Sequence, residues 1–150
     1  MSTNNEKIIS VLNDLIETCK DGQQGFQTAS EGVKDSSLKS LFSQYSLQRG
    51  QFAGALQTEV NRLGGSPEKS GTVSGSLHRG WINLKAAVTG HDEAAIIAEC
   101  ERGEDAAKEA YKKALQATLP ADIRSLVTEQ FAEVKQAHDR VRSLEVKLEH

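Results

Sequence analysis

Four stretches of the chain, roughly residues 5 to 32, 36 to 63, 92 to 117 and 121 to 147, repeat apolar side chains at intervals of three and four. That is the period of an α-helix with one apolar face. Four such helices cannot bury their stripes alone, so the chain must close into an all-α bundle. Little competes with this reading, because prolines stand only at positions 67 and 120 and aromatic residues make up 5% of the chain.

Local signals mark the ends of each stretch. Thr3 and Glu6 have the spacing of a capping box before the first helix, and Asp35, Ser36 and Ser37 offer oxygens to the free amides that open the second. Asp92 does the same for the third helix. Pro120 suits the first turn of the fourth, where its missing amide hydrogen costs nothing, and Gly64 with Gly65 ends the second.

One long connector remains. Residues 64 to 91, "GGSPEKSGTVSGSLHRGWINLKAAVTGH", hold six of the twelve glycines plus Pro67. A connector of this length inside a domain usually carries structure of its own, and Leu77, Trp81, Leu84 and Val88 recur at helical spacing, predicting a short amphipathic helix over 76 to 89. Helices of about 26 residues are about 39 Å long, a length the connector can run back along. The second and third long helices are then parallel, and the whole is expected to be a ferritin-like four-helix bundle with one long crossover.

Charge and length exclude several function classes. A chain of 150 residues fits a single domain, expected over 1 to 147, with a core of useful size. Its 18 basic and 21 acidic residues leave a net charge of -3, so no bulk attraction draws it to nucleic acid or anionic lipid. "MSTNNEK" at the start is polar and no long apolar run follows, so neither a secretory leader nor a membrane span is expected, and the cytoplasm is the expected compartment. Leu148 to His150 read as the start of a purification tag and are set aside.

Polar residues falling inside the apolar stripes are the candidates for function. Projecting the helices at about 100° per residue places Gln23 within the first stripe, between Cys19 and Phe26. Arg49 falls between Tyr45 and Phe52 in the second, with Gln48 at its edge. Glu104 lies on the line from Cys100 to Tyr111 in the third, and Gln130 and His138 lie in the fourth. Arg49 and Glu104 sit near the midpoints of their helices, and Gln23 and His138 share a level about 6 Å away, so the expectation is one polar cluster of Gln23, Arg49, Glu104 and His138 at mid-bundle.

The composition of that cluster argues against a di-iron centre. Such a site takes about six ligands, a Glu from each of two helices and a Glu-x-x-His pair from each of the other two. "QYSLQRGQF" in the second helix has no such pair, and the residue three before His138 is Lys135. Only Glu104 and His138 remain as inward ligand types, beside a guanidinium that opposes a cation. A buried carboxylate needs a partner, so Arg49 and Glu104 are expected to form a salt bridge where bundle proteins of this shape hold metal. Three readings stay open for that pair: an ion pair fixing helix register, a ligand site for iron or manganese, or an edge position reaching solvent. His138 reads first as a satisfied core or rim histidine.

Other features read as structure. Glu99, Glu101, Lys108, Glu109, Lys112 and Lys113 look like a solvated helix face with pairs at three and four residue spacing. His78 and His91 are expected at the surface. Cys19 and Cys100 are expected to be reduced core thiols rather than a disulfide, and "GGSPEKSG" lacks the ending of a phosphate-binding loop.

"DGQQGF" at 21 to 26, "RGQFAGALQTEVNRLGG" at 49 to 65, "LHRGWINLKAAVTG" at 77 to 90 and "AECERGEDAAKEAYKKAL" at 98 to 115 resemble a mainly proteobacterial family of ferritin-like four-helix-bundle proteins catalogued as a domain of unknown function. The resemblance spans nearly the whole chain. It implies a ferritin-like bundle able to self-associate, and it supplies no activity or catalytic residue. The leading expectation is a non-enzymatic bundle without cofactor, acting in a structural, stress-related or interaction role, as a homo-oligomer or with a protein partner. The alternative is a metalloprotein using iron or manganese around Glu104 and His138 for oxygen or peroxide chemistry. A third reading makes the connector a binding groove with Trp81 as its aromatic anchor.

Overall fold

The computed structural model describes residues 2–66 and 80–148, with side chains from residue 5 to residue 145. Its elements are α1 (Ser2–Gly32), α2 (Ser36–Arg62), α3 (Leu84–Thr89), α4 (Glu93–Leu115) and α5 (Ala121–Leu148), and no strand occurs among the described residues. The fold is an all-α helical bundle. The four long helices match the predicted stretches to within a few residues at each end. Because α1 already begins at Ser2, Thr3 lies inside the helix and does not cap it.

The helix ends follow from side-chain chemistry. Asp35 Oδ1 accepts the amides of Ser37 at 2.8 Å and Leu38 at 3.1 Å, and Asp92 Oδ1 accepts that of Ala95 at 3.1 Å. At the far end of α2 the chain reverses through Gly64, whose φ of 86° suits glycine, while the amide of Gly65 reaches back to the Val60 carbonyl at 3.0 Å. Arg124 on α5 donates to the carbonyls of Leu115 at 3.0 Å and Ala117 at 2.8 Å, satisfying groups left open where α4 stops.

Cross-helix contacts establish the direction of each helix. Phe26 meets Phe42 and Gln23 meets Ser46, so α1 and α2 are antiparallel. Cys19 meets Tyr111 while Lys34 meets Glu93, so α4 is also antiparallel to α1 and therefore parallel to α2, as the long crossover requires. Tyr111 meets Gln130 and Glu101 meets Arg142, which runs α5 back along α4. Glu93 Oε2 accepts the amides of Lys34 and Asp35, tying the turn between α1 and α2 to the first turn of α4.

The connector is shorter in helix than its periodicity predicts. Residues 67–79, including Pro67, Leu77 and His78, lie outside the described residues, and the remainder is a turn at 80–83 leading into α3. Gly80 explains the break. Its φ is 79°, and a Cβ there would stand 2.6 Å from the Arg102 carbonyl oxygen and 2.9 Å from the Cα of Gly103, so only glycine lets the strap lie this close to α4. His91, exposed at the end of the strap, also has positive φ, at 54°. No helix among the described residues is long and apolar enough to cross a membrane.

The apolar core falls into two parts. One, toward the α1 N-terminus, contains Leu12, Leu15, Cys19, Leu56, Val60, Tyr111, Ile123 and Val127. The other contains Phe26, Phe42, Trp81, Ile96, Ile97, Cys100 and Val141. Each long helix crosses from one part to the other across a gap: 19 to 26, 42 to 53, 100 to 107 and 134 to 141. Those gaps locate the polar layer.

Candidate functional site

Arg49 and Glu104 fill the gap between the two halves. Arg49 Nη1 lies 2.5 Å from Glu104 Oε1 and Nη2 lies 2.6 Å from Oε2, a parallel two-bond fork with side-chain exposures of 2% and 0%. Gly22 makes the room: a Cβ there would press on Arg49 Cγ at 3.3 Å and Nη1 at 3.4 Å. Of the three N–H groups outside the fork, Nε–H goes to Gln48 Oε1 at 3.2 Å, and the guanidinium carbon sits 5.4 Å from the Phe26 ring centroid, within cation–π range. Burial alone would lower the Arg49 pKa. The charge and hydrogen bonds of Glu104 outweigh it and hold the guanidinium above its ordinary value, so Arg49 keeps its charge.

A second polar chain runs just below, inside the first half of the core. Tyr111 donates to Gln130 Oε1 at 2.7 Å, which leaves its oxygen to accept from the Cys19 thiol at 3.1 Å. Gln130 Nε2 in turn donates to the Phe52 carbonyl at 3.4 Å. The chain therefore touches α1, α4, α5 and α2 in order. Burial pushes Cys19 up from 9.0 to about 11, and pushes Cys100 and Tyr111 well above their ordinary values.

These thiols are therefore inert. Both cysteines are free, buried and assigned to opposite halves of the core, Cys19 with Tyr111 and Cys100 with Phe26 and Trp81. The folded protein is expected to leave both unmodified by a disulfide reagent at about pH 8, with both reacting in strong denaturant. The same shift carries a sign for stability. The unfolded chain ionises Cys19 near 9.0 and the folded chain only near 11, so this contribution is full below pH 9.0 and declines as the pH rises toward 11. Urea midpoints across that window would show the decline.

Two of the predicted cluster members lie elsewhere. Gln23 is exposed, with its side chain over Gly50 and its carbonyl accepting from Ser46 Oγ at 2.8 Å. Its neighbour Gly22 holds the core position. His138 is likewise displaced to the rim by the buried Ala137, and its ring nitrogens face Asp105 and Glu101 on α4 and Asp139 on its own helix. One residue along a helix is about 100° of rotation, enough to carry a side chain from core to edge.

Glu99 departs from the solvated face expected of it. It is buried, pairs with Arg102, and accepts the Asn83 amide at 3.2 Å, so it fastens the strap to α4. The strap's other fastener is Trp81. Its indole is 5% exposed, packs edge-on against Phe26 with centroids 5.2 Å apart, and lies across Gly25 and Gly103, where any Cβ would overlap the ring. Trp81 thus fills the groove between α1 and α4 itself. Beside it, Asp21, Gly25, Thr28, Ile82 and Lys85 line a shallow depression of about 700 Å³.

Glu104 has both oxygens occupied by one guanidinium, and neither buried thiol has a basic side chain as hydrogen-bond partner. The fold and this layer define an all-α bundle centred on a buried ion pair. Residues 7–117, from α1 to just past α4, match a family described as a domain of unknown function (DUF2383), and the chain belongs to that family. No curated protein matches it.

Proposed function

We propose that the chain is a non-enzymatic cytoplasmic bundle of ferritin-like ancestry, with an ion pair where such bundles hold iron, working through its surface in a structural, stress-related or interaction role. Self-association or a protein partner would be its mode of action. The observation that supports this is the pairing of Glu104: both carboxylate oxygens accept short bonds from the buried Arg49 guanidinium, whose positive charge balances the carboxylate and opposes a cation beside it. A metal held by Glu104 and His138 draws no support from the geometry, because His138 contacts Glu101, Asp105 and Asp139 instead.

Elemental analysis tests the reading. Protein grown with iron and manganese is expected to hold neither in the core, and Glu104→Ala is expected to change stability without changing iron or manganese content. Near-stoichiometric iron or manganese lost on Glu104→Ala would overturn it.

A further inference from the structure

At the α4–α5 rim, a different set of ligand-type side chains converges. Glu101 and Asp105 are one turn apart on α4 and share a face. His138 meets them from α5. The three residues each offer a ligand atom within 4.8 Å of the other two, and Nε2 lies 2.8 Å from Asp105 Oδ1 and 3.8 Å from Glu101 Oε2.

The imidazole is held from behind. Nδ1 lies 3.2 Å from Asp139 Oδ1, and a neutral imidazole has one N–H to give. Without a metal, Nε2 is within hydrogen-bond reach of Asp105; with a cation between the side chains, the ring hydrogen goes to Asp139 and the Nε2 lone pair is free for the ion. A carboxylate behind the distal ring nitrogen is the usual support of a metal-bound histidine.

We propose that Glu101, Asp105 and His138 bind a divalent transition-metal cation of the zinc type, with water completing its shell. Ligand atoms about 2.0–2.2 Å from a tetrahedral ion stand about 3.3–3.6 Å from one another, so the adjustment needed is about 1 Å or less. Asp105 is exposed and free to make it, while Glu101 and His138, at 15% and 12% exposure, are already oriented by packing. An imidazole beside carboxylates favours zinc, cobalt or nickel over calcium or magnesium. Arg142 Nη1, 3.4 Å from Glu101 Oε2 and 3.6 Å from Glu145 Oε1, sits at the edge of the site as a competing cation. The site shares no residue with the Arg49–Glu104 pair and is independent of the reading given to it.

Calorimetric titration with zinc sulfate tests the proposal, using the full chain carrying His150→Gln so that the terminal imidazole does not compete. The parent is expected to take up one zinc per chain at this site. His138→Gln and Glu101→Gln should each weaken that binding at least about tenfold, a change of about 1.4 kcal/mol, and Arg142→Ala should strengthen it. Circular dichroism establishes that each variant is folded, and Asp105→Asn at an exposed position serves if His138→Gln is not. Absence of saturable binding in the parent, or binding of equal strength in the folded ligand variants, would overturn the proposal.

Discussion

Glu104→Gln is expected to lower the unfolding free energy by about 3–5 kcal/mol, because it leaves the Arg49 guanidinium buried with its counter-charge gone. Against a total of about 5–15 kcal/mol for an ordinary domain, that is a large share. Burial of Arg49 is close to complete, with Gly22 and Phe26 packed against it, so the orphaned charge cannot swing into solvent without opening the bundle. Removing both charges is a different experiment. Arg49→Met with Glu104→Leu replaces the pair by apolar groups of similar size, and such swaps are often neutral or stabilising by about 1–4 kcal/mol. Urea midpoints at unchanged slope would measure both. A loss below about 1 kcal/mol for Glu104→Gln would mean that the pair reaches water and does not anchor the core.

Gly103→Ala should also be strongly destabilising, against the ordinary expectation for a helix interior. Alanine is favoured over glycine there by about 1 kcal/mol. At this position, however, the new methyl group would occupy the space of the Trp81 indole. Expelling a buried tryptophan forfeits contacts worth about 3–5 kcal/mol, so the clash wins, with a net loss of about 2–4 kcal/mol. Trp81 is the chain's single tryptophan, so its emission reports the displacement directly as a red shift. The sign should reverse in a Trp81→Ala background, where the space is empty and Gly103→Ala regains its helix-propensity advantage. If Gly103→Ala destabilises equally in both backgrounds, the indole is not the cause.

Much of this architecture is legible in the amino-acid sequence, and the failures have physical causes. The stripes of α2 and α4 are marked by plainly apolar side chains, Phe42 and Leu56 on one and Cys100 and Tyr111 on the other, so Arg49 and Glu104 stand out as polar residues on an apolar line. Gln23 and His138 were misplaced because the residues that hold their core positions are Gly22 and Ala137, which are too small to register as part of a stripe. Glu99 could not be read at all. What buries it is the strap, a tertiary contact made by Asn83 from sixteen residues away. The rim site was obscured for a similar reason: Glu101 and Asp105 resemble any solvated helix face until α5 brings His138 opposite them.

The chain of donors from Cys19 through Tyr111 and Gln130 to the Phe52 carbonyl also bears on which helix arrangement this sequence can adopt. Apolar stripes alone pack against one another in any order. Each link of this chain joins a different pair of helices. An arrangement that separated one of those pairs would leave the Tyr111 hydroxyl or the Gln130 amide without its partner, at about 1–3 kcal/mol for each group left unsatisfied. Apolar burial makes the bundle compact, whereas these three hydrogen bonds discriminate against helix orders that part their partners.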